Sequence, residues 1–383
     1  MLLGCALLAC GGGGGDGKGP APLPTPQAPA AGTLGDGRLD QILEWARNSQ
    51  NLPAVAAIVI RRGQVVEKGA VGLRSAQASV RVTTSDQWHI GSMTKSMTAT
   101  LAAILVEDGL ITWDTRPIDV WPELDGRINS GFRDTTLRQL LSHTSGMKRD
   151  DAYGPAANSA AGTLMQKRRA WAAEVLSQRP ELPAGTWSYS NIGFMVAGAM
   201  LEARAQTPYE TLLTNRVFAP LGMSHSGFGT PGTAGALDQP LGHWSRASGF
   251  DPEQPTDANE DVLAVTPAGL VHVTLDDLAA YLQAHLAGER GVGGILTTDS
   301  FRTLHTVVAS DYALGWSVAA NSPGLNATVV GHNGSNLRWL SAMWFAPSLD
   351  VGVMVVTNGG GDRAGAGLTS LNQVLQARIL STP

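Results

Sequence analysis

A serine and a lysine stand three residues apart at the head of a long apolar segment, Ser92 and Lys95 in "WHIGSMTKSMTATLAAILVEDGL". On a helix, residues i and i+3 share a face, with Cβ atoms about 5–6 Å apart. A serine hydroxyl is a poor nucleophile at neutral pH and needs a base beside it. A lysine amine in apolar surroundings loses proton affinity and can serve as that base. A helix N-terminus adds backbone N–H groups and a positive potential that favour developing negative charge. Together these features describe an acylation centre. The same spacing recurs at Ser145-Gly-Met-Lys148, which follows a helix pattern and runs into the loop-like "RDDAYGP". That second pair is expected to have no chemical role.

"IGSMTKSMTA" resembles the active-site motif of the serine β-lactamase and penicillin-binding-protein superfamily. The similarity is to the class C-like branch, with its D,D-peptidases, D-aminopeptidases and carboxylesterases. It continues in order through "WDTRPIDVWPEL", "TLRQLLSHTSGM", "LPAGTWSYSNIGFMVAGAMLE", "VFAPLGMSHSGF", "VTPAGLVHVTLDDLAAYL", "YALGWSV" and "GHNGSN", from about residue 39 to 380. The resemblance implies a serine hydrolase that forms an acyl-enzyme with an ester or amide, and no cofactor.

It also implies roles for further residues. The second family motif, Tyr-x-Asn, matches Tyr189-Ser190-Asn191, the sole such triplet of the chain. A phenol near a lysine ammonium can be held partly deprotonated, take the proton of Ser92 and return it to the leaving group. Asn191 would hydrogen-bond Lys95 and a substrate carbonyl. On the residues alone, a buried tyrosine beside a helix-capping asparagine explains the triplet. The third motif matches His332-Asn333-Gly334-Ser335 at the end of a strand-like run. The family's oxyanion hole then falls on the backbone N–H groups of Ser92 and Ser335. Gly334 leaves the strand edge open for substrate. His225-Ser226-Gly227 imitates this motif but ends a helix-turn segment with no strand expected on either side.

Most β-lactamases of the superfamily carry lysine where this chain has His332, while many relatives, some D,D-peptidases among them, carry histidine. A histidine is largely neutral at pH 7 unless neighbours raise its pKa, which favours an esterase or D-amino-acid peptidase over an efficient β-lactamase. Arg338 stands where relatives often have a small residue; it is a candidate contact for a substrate carboxylate, or else points to solvent. His143 in "LLSHTSGM" reads as structural. The histidines show no metal-ligand spacing such as HExxH, so no metal is expected. A G-x-S-x-G elbow is also absent, "GMSHS" failing at its last position. A reading of another class stays open: a catalytically silent envelope protein that binds peptidoglycan or a partner.

The elements that must position these residues follow from the hydrophobic pattern. The chain has 383 residues, 43% hydrophobic, enough for a sizeable core. A net charge of -5 gives no footprint for nucleic acid. Leu39, Ile42, Leu43 and Ala46 follow helical spacing, and "AVAAIVIRRGQVVEKGAVG" reads as two strands around an Arg-Gly turn. The helix from Ser92 is so apolar that it must be buried, and Gly109 supplies its stop. From about 120 to 290 the pattern is helical with long loops, "ASGFDPEQPTDANED" among them. Four β-rich runs and a final helix close the chain. The expected fold is α+β: an antiparallel sheet flanked by helices, interrupted by an inserted all-helical domain at about 120–290, within a hydrolase domain spanning 37–383.

The first 36 residues differ from the rest. Residues 1–10 read as a secretory signal whose end, "LLAC", resembles a bacterial lipobox with Cys10 as the lipidated residue. Residues 11–36 are a Gly/Pro/Ala tract too poor in apolar groups to fold, a disordered tether between membrane and domain. The expected place is the periplasm or cell surface. The alternative is a cytosolic protein with a ragged N-terminus. Cleavage before Cys10 would leave one cysteine and no internal disulfide.

Overall fold

The computed structural model describes residues 20–149, 162–255 and 263–383. Helix α1 (Leu39–Ser49) leads into strands β1 (Ala54–Arg61) and β2 (Gln64–Gly72), turned by Arg62 and Gly63, both at positive φ. Short strand β3 (Trp88–His89) and a one-turn 3-10 helix (Gly91–Met93) precede α2 (Thr94–Glu107). Helices α3 (Leu137–Leu141), α4 (Leu164–Ser177) and α5 (Asn191–Ala205) follow. Then come β4 (Gly227–Phe228), the hairpin β5 (Gly242–Arg246) and β6 (Gly249–Glu253), β7 (Val271–Val273), α6 (Leu275–Glu289) and α7 (Thr298–His305). The chain ends with β8 (Ser317–Ser322), β9 (Ala327–Ser335), β10 (Leu340–Ala346), β11 (Val351–Thr357) and α8 (Gly361–Ser381).

Six of these strands form one antiparallel sheet in the order β2-β1-β11-β10-β9-β8. β1 pairs with β11 inside it, so the two ends of the chain build one core. Alternation decides which side chain goes where. Val55, Ala57, Val59, Val353 and Val355 face α1 and α8, in a core with Ile42, Leu43, Leu368 and Leu371. Ala56, Ile58, Met354 and Val356 face the other way, into a larger core with α2 and α6. Helix α2 is buried along nearly its whole length, as its composition requires. It stops in a Schellman pattern: Gly109 at φ +72°, its N–H donating to Val106 O, and Leu110 N–H donating to Leu105 O.

The structure departs from the sequence expectations in several places. Residues 20–36 carry no helix or strand, yet they lie bonded along the domain. Leu23 exchanges two hydrogen bonds of 2.9 Å with the Gln50 side chain, and the fully buried Arg378 donates to the carbonyls of Ala31 and Thr33 and to Asp36 and Glu67. Polar clamps hold a tract that apolar content alone would leave disordered. The region 120–290 is not all-helical: the stretch read as a loop contains β6, with Pro252 tolerated in a two-stranded ribbon. Helix α6 packs on β1 and β11 and so belongs to the sheet layer. Gly227 does stand in a strand, β4, which pairs with β7. Residues 1–19, with Cys10 and the signal-like run, lie outside the described residues.

Candidate active site

The turn that carries Ser92 is pinned by hydrogen bonds on every side. Ile90 N–H donates to Val271 O, which hangs the turn on β7. Gly91 N–H donates to His89 Nδ1 at 3.1 Å, and Thr94 Oγ1 donates to Gly91 O at 2.7 Å. Met93 O accepts from Ser96 Oγ at 2.8 Å, and Ile90 O accepts from Ser341 Oγ at 3.0 Å. Burial takes the His89 pKa down to about 3, so its Nδ1 is a stable acceptor. Gly91 sits at φ +51°, where a side chain is strained, and it turns the chain sharply into the 3-10 helix. The first N–H groups of a helix have no carbonyl partner within it, and the Ser92 N–H is one of these. The helix expected to begin at Ser92 therefore begins as a 3-10 turn, in which residues three apart eclipse.

Lys95 is fully buried in the first turn of α2. Its Nζ lies 3.1 Å from Ser92 Oγ, 2.5 Å from Asn191 Oδ1 and 2.6 Å from the Ala268 carbonyl oxygen. It also stands 4.9 Å from the centre of the Tyr189 ring and 5.5 Å from that of Phe194. The structure thus brings Ser92 and Lys95, Tyr189 and Asn191, and the Ala268 carbonyl together from three separate segments. In the triplet, Ser190 is the capping residue: its Oγ accepts from Gly193 N–H at 3.1 Å and donates to Lys148 O at 2.6 Å. Asn191, one position later, is thereby freed from capping and aimed at the lysine.

His143 is the bed on which the triplet rests. Its Nδ1 accepts the Ser190 N–H at 3.0 Å, and its ring packs 4.3 Å from Tyr189 and 5.1 Å from Phe194. Burial, reinforced by the Lys95 charge, holds its pKa well below the ordinary value. The residue is neutral and structural, and its φ of +61° marks a backbone bent for the purpose. The Ser145–Lys148 pair lies in this same supporting segment, where Lys148 supplies its carbonyl to Ser190.

The third motif forms the opposite wall. Gly334, on β9, has no room for a side chain: a Cβ there would stand 1.8 Å from Ile90 O and 2.7 Å from Ser341 Oγ. A Cβ on Gly91 would stand 2.4 Å from Ser335 N. The two glycines let the end of β9 lie directly on the Ser92 turn, so the N–H groups of Ser92 and Ser335 belong to touching backbones. His332 is buried, with Nδ1 2.5 Å from Asn333 O and Nε2 2.9 Å from Tyr312 Oη. A carbonyl can only accept, so Nδ1 carries the proton and Nε2 accepts from the tyrosine. Burial and the nearby Lys95 charge take the His332 pKa down to about 3. Both ring nitrogens are engaged and the ring is neutral.

Arg338 sits in the turn between β9 and β10, three residues beyond Ser335. It ion-pairs with Glu253 of β6, and its guanidinium lies 5.4 Å from the Trp244 ring centre. It has a carboxylate partner within the chain and does not point simply to solvent. Two site members escaped the sequence reading. The Ala268 carbonyl is a backbone group with no residue-type signature. Tyr312 lies in "YALGWSV", a family-like segment whose tyrosine carries no motif of its own. Among the described residues no group of three or more His, Cys, Asp or Glu side chains is placed to hold a metal, and no helix is long and apolar enough to cross a membrane.

Comparison with known proteins places the fold. Penicillin-binding protein 4 of Amycolatopsis lactamdurans is 27% identical over 335 residues, covering 82% of this chain and 83% of the relative. A class C β-lactamase from Rhodobacter sphaeroides superposes with a TM-score of 0.70 at 20% identity, covering 90% of this chain and 100% of that one. The D-amino acid amidase of Ochrobactrum anthropi SV3 superposes with a TM-score of 0.69 at 22% identity, covering 90% and 97%. At such identities the superpositions speak to fold. The beta-lactamase family model matches residues 39–377, the whole span from α1 into α8. The chain belongs to the beta-lactamase family, in the superfamily of β-lactamase-fold serine hydrolases.

Proposed function

We propose that the chain is a serine hydrolase that acts on an ester or amide through an acyl-enzyme, of the carboxylesterase or D-amino-acid peptidase type. The observation that carries this is the 3.1 Å contact between Lys95 Nζ and Ser92 Oγ at a turn overlaid by Gly334 and Ser335. Ser92 Oγ attacks the carbonyl carbon, and its proton passes through Tyr189 and Lys95. The Ser92 and Ser335 N–H groups hold the oxyanion. Collapse of the tetrahedral intermediate breaks the bond to the alcohol or amine, which leaves with that proton. Water then attacks the acyl ester, gives up its own proton to the same pair, and Ser92 is regenerated. Asn191 holds Lys95 and offers its amide to the substrate carbonyl.

The substrate class rests on charge. A neutral His332 supplies no fixed cation for a β-lactam carboxylate, and Arg338 is tied to Glu253. A small-molecule ester or D-amino-acid amide or peptide suits such a wall better. A class C-like β-lactamase is the second reading, favoured by the fold shared with the Rhodobacter enzyme. The test is hydrolysis of p-nitrophenyl butyrate, a D-alanyl amide and nitrocefin, with Ser92→Ala as control. Ester or amide turnover that vanishes in the variant, with nitrocefin turnover slow, is the expected result. Rapid nitrocefin turnover would reverse the order. A folded protein silent on all three, and unlabelled by a fluorophosphonate, would replace the hydrolase with an envelope binding protein.

For the N-terminus we propose export and lipidation at Cys10, supported by the lipobox-like "LLAC". Cys10→Ser should move the protein from the membrane fraction to the soluble one; retention in the membrane fraction would refute the anchor.

A further inference from the structure

The short helical turn Thr266–Gly269 and the first residue of β7 form a cradle for the start of α2. Each bond of the cradle has its own proton. Ile90 N–H donates to Val271 O, and Val271 N–H donates to Thr94 Oγ1 at 3.1 Å. Thr94 is fully buried, and a hydroxyl that accepts an N–H has only its own proton left to give. That proton goes to Gly91 O at 2.7 Å. Beside it, Lys95 Nζ donates to Ala268 O at 2.6 Å.

Gly91 O belongs to the same peptide unit as the Ser92 N–H. A peptide unit is planar and trans, so its C=O and N–H point in opposite directions. Whatever holds the Gly91 carbonyl therefore aims the Ser92 amide. The backbone alone holds it loosely: the Thr94 N–H divides itself between the carbonyls of Gly91 and Ser92, and hydrogen bonds of a 3-10 turn are poorly aligned. The Thr94 hydroxyl gives its proton to Gly91 O undivided, and the hydroxyl is itself fixed by the Val271 N–H. Oxyanion donors act by being aligned before reaction begins. A misaimed N–H thus costs transition-state stabilisation and leaves ground-state binding alone.

We infer that Thr94 is a positioning residue: its hydroxyl, held by β7, fixes the Gly91 carbonyl and so aims the Ser92 N–H at the substrate oxyanion. The effect on rate rests on the proposed hydrolase reading; the direction of the amide does not. Thr94→Val keeps the side-chain shape and removes the hydroxyl, whereas Thr94→Ser keeps the hydroxyl and loses only the methyl group. Three quantities are read beside a thermal melt: kcat and KM for p-nitrophenyl butyrate, Ki for phenylboronic acid, and the 15N–1H residual dipolar coupling of the Ser92 amide, which reports bond direction. Phenylboronic acid accepts Ser92 Oγ at boron; a B–O bond forms, no bond at boron breaks, and the Ser92 proton passes to Tyr189 and Lys95. A boron-bound oxygen then stands where the oxyanion would.

Thr94→Val should lower kcat about tenfold with KM little changed and raise the boronate Ki by a similar factor, less than the roughly 10²–10³ of a lost donor because the Thr94 N–H still holds part of the carbonyl. The Ser92 coupling should change while those of α6 and α8 stay. Thr94→Ser should return all three quantities to near wild type. A merely structural role would lower the melting temperature, through the stranded Val271 N–H, and leave kcat, Ki and the Ser92 coupling alone. An unchanged kcat or an unchanged Ser92 coupling in Thr94→Val, or a Thr94→Ser as impaired as Thr94→Val, would overturn the inference. Should Thr94→Val fail to fold, Thr94→Cys, whose thiol is a weak donor, must show the same changes at smaller size. A wild type that turns over neither ester nor amide and takes up no boronate would refute the hydrolase, and the Ser92 coupling in the variants would then decide the aim of the amide by itself.

Discussion

Gly334→Ala tests the architecture of the site at its tightest contact. The added Cβ would meet Ile90 O at 1.8 Å, where contacts below 3.0 Å are essentially never found. The end of β9 and the Ser92 turn must therefore separate by more than about 1 Å. Neither side can yield by a rotamer change, because the nearest atom is backbone and Ile90 O is also held by Ser341 Oγ. Overpacking of this kind costs about 1–3 kcal/mol of stability. The catalytic loss should be larger. Separation moves the Ser335 N–H from the Ser92 N–H; if these are the oxyanion donors of the proposed reaction, losing one costs about 10²–10³ in kcat. Lys95 and Asn191 stand on α2 and α5 and not on β9, so they keep their places. We therefore expect Gly334→Ala to fold, to lower kcat at least 10²-fold, and to melt only a few degrees below wild type. The assay is ester turnover beside a thermal melt. A folded variant within tenfold of the wild-type kcat would refute the claim that β9 must touch the Ser92 turn.

Two further outcomes follow from buried polar groups. Seven of the eight histidines have pKa values lowered by burial, with His89 and His332 near 3 and His243 near 4. Each folded value lies below the unfolded one, so the unfolded chain binds more protons; stability is full above about pH 6.5 and falls toward the folded values. At pH 5 those three alone contribute a slope of about 4 kcal/mol per pH unit, against a typical total of about 5–15 kcal/mol. Thermal melts from pH 7.5 to 4.5 should drop steeply below 6.5, and a flat profile would refute the neutral-histidine account. Arg378→Leu strands the buried Glu67 carboxylate, which should cost about 3–5 kcal/mol, and releases Asp36, which should open residues 20–36 to limited proteolysis in the native protein. Unchanged protection of that segment would show that the clamp is not Arg378.

What was legible in the sequence was local. Ser92 and Lys95 could be paired because their spacing on one turn determines their contact. The strands β1, β2 and β9 to β11 could be read because alternation and apolar runs mark them, and Gly109 because its Schellman geometry needs a glycine. The failures share one physical origin, contacts between distant segments. Pro252 and the polar residues around it spell a loop, yet pairing with β5 makes β6. Residues 20–36 spell disorder, yet one arginine more than 340 positions away bonds Ala31 and Asp36. The Ala268 carbonyl and the Tyr312 hydroxyl reach the site by folding alone, and no pattern of residue types announces them.

The same distinction bears on why a histidine occupies position 332. A lysine ammonium at this point would have to sit against Lys95, whose charge already disfavours protonation of the imidazole. Two cations so close in a buried site would each lose proton affinity, and in the proposed reaction Lys95 is the group whose protonation matters. The neutral ring removes that conflict. Its Nδ1–H is spent on Asn333 O and its Nε2 on Tyr312, so it stiffens the end of β9 without adding charge. Tyr312 packs 4.5 Å from His143, which in turn holds Ser190. A neutral path of contacts thus joins the oxyanion strand to the Tyr189 loop behind Lys95. The departure from lysine is then more than a missing hook for a carboxylate. It leaves Lys95 without a second cation at position 332 and couples the two walls of the site through hydrogen bonds and ring packing.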